Sequence, residues 1–204
     1  MRARKWLRLN QLMITAALAI AAVAPTGLHA QNIGAEQQTL AIRRALERLP
    51  NYGVFDFLAF SVERGTVTLT GFAYSGTLKS EAENAVRRVA GVDEVANTIE
   101  PLPASIHDDR IRSATFYRIY SDSSLSRYTS GGPGAALYEA LEFRRFPGRQ
   151  PFGLYPIHIV VQGGRTTLLG YVDSASDKQL AGFRAREVGG VFAVNNDLVV
   201  TTDR

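Results

Sequence analysis

Hydrophobic positions between residues 36 and 103 change their spacing in a regular order. Four apolar residues come first, at helical spacing: Ile42, Ala45, Leu46 and Leu49. Apolar and polar residues then alternate over 58–62 and over 66–71, which is typical of two strands joined as a hairpin. A second helical stripe follows: Leu78, Ala82, Ala85, Val86 and Val89. Gly91 ends this helix and a last strand follows, so the segment predicts the order αββαβ.

The same pattern returns 99 residues later without a gap, in residues 164–200. The identities with residues 65–101 include Gly65/Gly164, Leu69/Leu168, Gly71/Gly170, Ser75/Ser174, Lys79/Lys178, Ala82/Ala181, Val89/Val188, Gly91/Gly190, Val95/Val194 and Asn97/Asn196. Ile111, Thr115 and Ile119 mark a helix before the second hairpin. We therefore predict an α+β fold with a first repeat at 36–103 and a second repeat at 106–202.

The second repeat carries about 30 additional residues between Tyr120 and Tyr155, an insertion that we place at about 122–154. Residues 135–143 have helical spacing, so we predict a short helix inside it. An insertion of this length is usually functional or mobile.

The N-terminus has the three parts of an export signal. Four of its first eight residues are basic, residues 12–24 are apolar, and Leu28-His29-Ala30 offers a cleavage site before Gln31. We therefore expect residues 1–30 to be removed and the protein to be periplasmic. The alternative is an uncleaved anchor, although the apolar run is short for a bilayer span, which needs about 20 residues.

The net charge of +4 comes from this signal. Residues 31–204 hold 19 basic and 19 acidic side chains, so the remainder is neutral and nucleic acid is not an expected partner. The chain has no Cys, which excludes thiolate zinc sites and cysteine nucleophiles. No His pair has metal-ligand spacing, and no nucleotide-binding loop or nucleophile elbow occurs. We expect no enzyme, no cofactor and no metal, and we expect His158 to face solvent from its strand.

The hairpin GTVTLTG, the helix after it and the closing GVDEVANTI resemble the BON domain, named for bacterial osmotically induced and nodulation proteins. GRTTLLG, REVGGV and VNNDLVV match the same pattern in the second repeat. The resemblance implies two helices packed on one face of a three-stranded mixed sheet in each repeat, and no catalytic chemistry. It also implies a membrane-associated module, for which binding to anionic phospholipid is the usual proposal. Tandem copies behind a signal peptide look like the periplasmic osmotic-shock proteins of that family.

The two repeats differ in polarity at three equivalent positions. Glu81, Asn84 and Asp93 of the first repeat correspond to Leu180, Phe183 and Phe192 of the second. With the nearby cations, these residues form the first candidate patch: Lys178, Leu180, Phe183, Arg184, Arg186 and Phe192. Apolar side chains beside cations suit a membrane interface, and the alternative is that Leu180 and Phe183 are buried between the repeats.

A second candidate patch lies in the insertion and mixes aromatic and basic residues: Phe143, Arg144, Arg145, Phe146, Arg149 and Phe152. This segment could enter an anionic surface, or its Phe residues could anchor the insertion while its Arg residues are solvated. The leading hypothesis is a non-enzymatic envelope protein that contacts a phospholipid surface, in envelope maintenance or osmotic stress. The alternative is a periplasmic scaffold that docks an envelope protein or a second copy of itself.

Overall fold

The computed structural model describes residues 27–129, 132–145, 150–151 and 155–201, so most of the predicted export signal lies outside the described residues. The first repeat contains α1 (Gly27–Glu47), β1 (Phe57–Glu63), β2 (Thr66–Ala73), α2 (Leu78–Val86), β3 (Glu94–Asn97) and β4 (Glu100–Pro101). None of the helices in the described part of the chain is long and apolar enough to cross a membrane.

The sheet of the first repeat is mixed, as predicted. β1 and β2 pair antiparallel, while β3 and β4 both pair parallel with β2. The predicted third strand is therefore two short strands in one row, interrupted at Thr98 and Ile99. Ile99 turns into the core at this interruption, where it is buried.

One face of this sheet carries the core of the first repeat. The buried residues come from both helices, from the central strand and from the interruption between β3 and β4: Ile42, Leu46, Val67, Leu69, Ala73, Leu78, Ala82, Val86 and Ile99. Their helical and alternating spacings are those of the sequence, because a helix buries positions three and four apart and a strand buries every second residue.

The second repeat has the same order with one added helix. Its elements are α3 (Ile106–Tyr120), a 3₁₀ turn (Ser126–Tyr128), α4 (Gly132–Arg145), β5 (Ile157–Gln162), β6 (Arg165–Val172), α5 (Ala175–Arg186), β7 (Ala193–Asn196) and β8 (Val199–Val200). β5 and β6 pair antiparallel, and β7 and β8 pair parallel with β6. The α+β fold with two repeated units is thus confirmed.

α3, and not α4, is the counterpart of α1. A Cβ placed on Gly91 would lie 3.1 Å from Nε2 of Gln38 in α1, and one placed on Gly190 would lie 3.2 Å from Cε1 of His107 in α3. The glycines are 99 positions apart, whereas Gln38 and His107 are 69 apart. The difference of 30 residues therefore enters after α3, and it brings α4 with it.

Asn97 and Asn196 hold the same position in both repeats. Asn97 donates from Nδ2 to the carbonyl of Lys79 at 2.8 Å, and Asn196 donates to the carbonyl of Lys178 at 2.6 Å. Each side chain thus ties the third row of a sheet to the helix that precedes that row, which gives a structural reason for a polar identity within an apolar pattern.

The insertion joins the two repeats. α4 packs along α3, and its Phe143 side chain is buried against Phe55, with ring centroids 4.8 Å apart. Phe55 belongs to the loop between α1 and β1, and its ring also meets Tyr74 of the first repeat and Phe116 of α3. The loop of the first repeat is therefore part of the core of the second.

Polar contacts reinforce this junction. Gln150, in the insertion, accepts a hydrogen bond from the Phe55 amide at 3.0 Å and donates to the carboxylate of Asp56. The Ile159 amide of β5 donates to the Val54 carbonyl at 2.8 Å, so the first repeat bonds to the outer edge of β5. The guanidinium of Arg112, fully buried in α3, lies 4.9 Å from the ring centroid of Tyr74.

Candidate functional site

Two large aromatic side chains of the second repeat are exposed to solvent. Phe183 on α5 is 52% exposed, and Phe192 before β7 is 81% exposed. Their counterparts Asn84 and Asp93 are exposed too, so both positions face solvent in both repeats. The repeats therefore share a surface geometry that is polar in the first copy and aromatic in the second.

The backbone positions Phe192 as it positions Asp93. The Phe192 amide donates to the Gly164 carbonyl at 2.8 Å, and the Asp93 amide donates to the Gly65 carbonyl at 2.9 Å. Both side chains cover the glycine of the hairpin turn, which has a positive φ of 73° at Gly164 and 84° at Gly65. A Cβ there would collide with the ring of Phe192, so the glycine makes room for the aromatic side chain.

Leu180 does not belong to the exposed part of the first candidate patch. Its side chain is half-buried against the core of the second repeat. Of the cations, Lys178 is half-buried and Arg186 is exposed. Of the three apolar residues in this patch, Phe183 and Phe192 are therefore exposed and Leu180 is not, so the buried alternative holds for Leu180 and not for Phe183.

Arg184 forms ion pairs with two carboxylates of its own chain. Its Nη2 lies 2.7 Å from Oδ2 of Asp122, and its Nη1 lies 3.1 Å from Oε2 of Glu187. The hydrogen bond to Asp122 raises the pKa of Arg184, and the one to Glu187 acts in the same direction. Because Asp122 begins the insertion, Arg184 fastens that segment to α5 and is a weaker candidate for a lipid phosphate than expected.

The second candidate patch is divided by the structure. Phe143 is buried and anchors the insertion, so it cannot enter a membrane, whereas Arg144 and Arg145 are exposed. The remaining members, Phe146, Arg149 and Phe152, lie outside the described residues. For Phe143 the anchoring alternative is therefore the correct one.

Three apolar side chains of α4 are exposed although neither candidate patch included them: Leu137, Tyr138 and Leu141. The buried face of α4 is formed instead by Ala136, Ala140 and Phe143, at i, i+4 and i+7. This spacing was available in the sequence and places Leu137 and Leu141 outside the buried face of the helix.

His158 does not face solvent, so that prediction is wrong. Its side chain points away from the core of its own repeat, but the first repeat covers it. The ring stacks on Tyr52 with centroids 5.4 Å apart, the Tyr52 hydroxyl lies 3.3 Å from Nε2, and Phe57 packs edge-on. Burial lowers the pKa of His158 to about 4, and Nδ1 is buried with no hydrogen-bond partner in the part of the chain that the structure describes. Sequence alone could not show this, because the covering residues come from the other repeat.

Nearby, Asp56 is a fully buried carboxylate. It accepts hydrogen bonds from the Gly53 and Tyr74 amides at 2.9 and 2.6 Å, as well as from Gln150. Burial raises the pKa of Asp56 to about 6, against the opposing effect of these hydrogen bonds. These partners come from the first repeat and from the insertion, so Asp56 serves the junction between the repeats. Within the described ranges, no group of three His, Asp or Glu side chains could hold a metal ion.

Comparison with known proteins gives a match to the family model described as "BON domain", over residues 35–101 and again over 145–202. The second match begins at the end of α4, because the insertion separates α3 from the rest of its repeat. A search of the curated proteins gives no match.

Two of the solved structures found are similar to this chain. One is the C-terminal domain of CdsD, the structural protein of the type III secretion system of Chlamydia trachomatis, with 14% identity over 80% of this chain and 96% of that one. The other is also described as CdsD, with 15% identity over 81% and 92%. Their TM-scores are 0.24 and 0.26.

Proposed function

Since this chain belongs to the BON domain family, we propose that it is a periplasmic, non-catalytic binding protein that attaches to the anionic phospholipid surface of the envelope through its second repeat. BON domains are generally binding domains without catalytic activity. The export signal predicted from the sequence supports the periplasmic location. Because residues 31–204 are neutral overall, attraction to anionic lipid would come from local groups of cations.

The observation that carries the proposal is the exchange of exposed polar side chains for exposed aromatic ones. Phe183 and Phe192 stand at positions where the first repeat has Asn84 and Asp93. An exposed phenylalanine ring is unfavourably hydrated in water. The free energy falls when the ring enters the boundary between lipid headgroups and acyl chains. Arg186 is exposed on the same helix as Phe183 and supplies a cation for lipid phosphate.

The test is co-sedimentation of the exported protein with vesicles of phosphatidylcholine alone and with added phosphatidylglycerol. The informative variant is Phe183→Asn with Phe192→Asp, because the first repeat already accommodates both residues at these positions. We expect binding to the anionic vesicles at low salt, weaker binding at high salt, and a loss of about tenfold in the variant.

Failure of the wild-type protein to bind anionic vesicles at low salt overturns the proposal. Equal binding by wild type and variant removes the two phenylalanines from the contact. Protease accessibility in intact and osmotically shocked cells, with N-terminal sequencing of the exported form, tests the compartment.

A further inference from the structure

The inserted helix α4 has two apolar faces, and only one of them is buried against other described residues. Ala136, Ala140 and Phe143 are buried on the inner face. The outer face presents Leu137, Tyr138 and Leu141, which are 46%, 65% and 52% exposed. A surface helix of a globular protein normally has one apolar face and one polar face, so the outer face of α4 requires a separate explanation.

The charges of α4 are sorted around its axis. With 3.6 residues per turn, the outer sector of about 120° contains the three apolar residues together with Arg144 and Arg145, and it contains no acidic residue. Both acids of α4 lie off this sector. Glu139 accepts a hydrogen bond from the Tyr155 hydroxyl and is thereby turned toward the protein, and Glu142 is half-buried on the flank.

We infer that the outer face of α4 is a second element that lies in the lipid headgroup layer, with Leu137, Tyr138 and Leu141 in the apolar boundary and Arg144 at the phosphates. The inference rests on the proposed function and names a docking element for it. A lipid surface fits better than a folded partner, because three side chains are far fewer than the 20–30 residues per partner, about 800 Å², of a stable protein interface. The outer sector has arginines at one end and no acidic residue, so its charge complements a layer of lipid phosphates.

The anchoring of α4 suits this task. Phe143 fixes the helix to the core from below, and Ser113 of α3 donates from its hydroxyl to the Ala140 carbonyl at 3.1 Å. The helix is therefore held in place before it meets a membrane. A disordered segment loses conformational entropy when it folds on binding. Because α4 is already folded, its binding does not carry this cost.

The experiment uses the double variant Leu137→Glu/Leu141→Glu in the exported protein. Its matched control is Leu40→Glu on α1, since Leu40 is 47% exposed on a helix of the other repeat. We expect at least a tenfold loss of binding to phosphatidylglycerol vesicles for the double variant, and less than a twofold change for the control. Thermal melts must agree between the variants, and Leu137→Gln/Leu141→Gln replaces the double variant if it does not fold.

Fluorescence gives a second measurement that reports insertion directly. Trp6 is the only tryptophan and lies in the predicted export signal, so Tyr138→Trp introduces a single tryptophan into the exported protein, which can be excited selectively. We expect its emission to shift to the blue when anionic vesicles are added. Tyr171→Trp is the control, because Tyr171 is 55% exposed on β6, and we expect no shift for it.

The outcomes separate the two proposals. If the wild-type protein binds no vesicles, the proposed function fails. If the wild-type protein binds but the double variant binds equally well, or if Tyr138→Trp shows no shift, the assignment of α4 is overturned while the proposed function stands. A dimer that the double variant converts to a monomer, with vesicle binding unchanged, overturns it too and makes α4 a contact between copies.

Discussion

Gln150 and Asp56 lie 94 positions apart in sequence and hydrogen-bond across the boundary between the two repeats. The amide side chain of Gln150 also accepts from the Phe55 amide and donates to the Asn51 carbonyl at 3.0 Å. One residue of the insertion thus satisfies three polar groups of the first repeat, in a place where water is excluded.

Replacing Gln150 should weaken the whole protein. In Gln150→Ala, the buried Asp56 carboxylate and the Phe55 amide each lose a partner, and we expect a loss of about 2–4 kcal/mol in the free energy of unfolding. Urea denaturation followed by circular dichroism measures it. The control is Gln179→Ala on the exposed face of α5, which should stay within about 0.5 kcal/mol of wild type. Similar values for both variants would contradict the role assigned to Gln150.

The His158→Gln variant should reveal the pH dependence of the junction. The folded state lowers the pKa of His158 from 6.5 to about 4, so His158 contributes stability above pH 6.5 that is lost as the pH falls toward 4. The raised pKa of Asp56 acts in the opposite direction, because its contribution is present at low pH and is lost as the pH rises through about 6. The two effects partly cancel in the wild-type protein.

Without His158, the effect of Asp56 is no longer opposed by that of His158. Relative to wild type, His158→Gln should therefore gain stability as the pH is lowered from 7 to 4.5, by up to about 3 kcal/mol. Thermal melts at a series of pH values measure the gain. Parallel pH profiles for both proteins would show that His158 titrates normally and is not buried.

Phe143 should matter for stability and Tyr138 should not, although both are aromatic residues of α4. Phe143→Ala empties a space against Phe55, and we expect a loss of about 3–5 kcal/mol. Tyr138→Ala removes a side chain that is 65% exposed, so we expect less than about 1 kcal/mol. Denaturant titration of both variants checks this contrast, and a reversed order would mean that the faces of α4 are misassigned.

Two arginines should differ in their effect on lipid binding. Arg184 is paired with Asp122 and Glu187, so Arg184→Gln should change vesicle binding less than twofold. Arg144 is exposed, and Arg144→Gln should lower binding several-fold at low salt, because each cation near an anionic surface contributes about 1 kcal/mol. The difference should disappear at high salt. A larger effect of Arg184→Gln would restore the first candidate patch.

The fold could be predicted because it depends on spacings within each repeat. The stripe from Leu78 to Val86 and the alternation through Val67 and Leu69 appear in the structure as the buried positions. The burial of His158 and of Phe143 depends on contacts between segments about 90–110 residues apart in the sequence. Local spacing shows which face of an element is apolar, but it does not show what covers the other face. For Arg184, pairing with Asp122 of the insertion could not be seen from the neighbouring residues alone.

The bond from the Ile159 amide to the Val54 carbonyl has a consequence for solubility. β5 is the outermost strand of its sheet, and an outermost strand with free amides and carbonyls is a template for pairing with another chain. The first repeat occupies part of that template, at the apolar stretch where β5 reads Ile-His-Ile-Val-Val. A second repeat produced by itself would expose this strand and tend to associate edge to edge. We therefore expect the tandem arrangement to protect the chain from aggregation, whatever surface it binds.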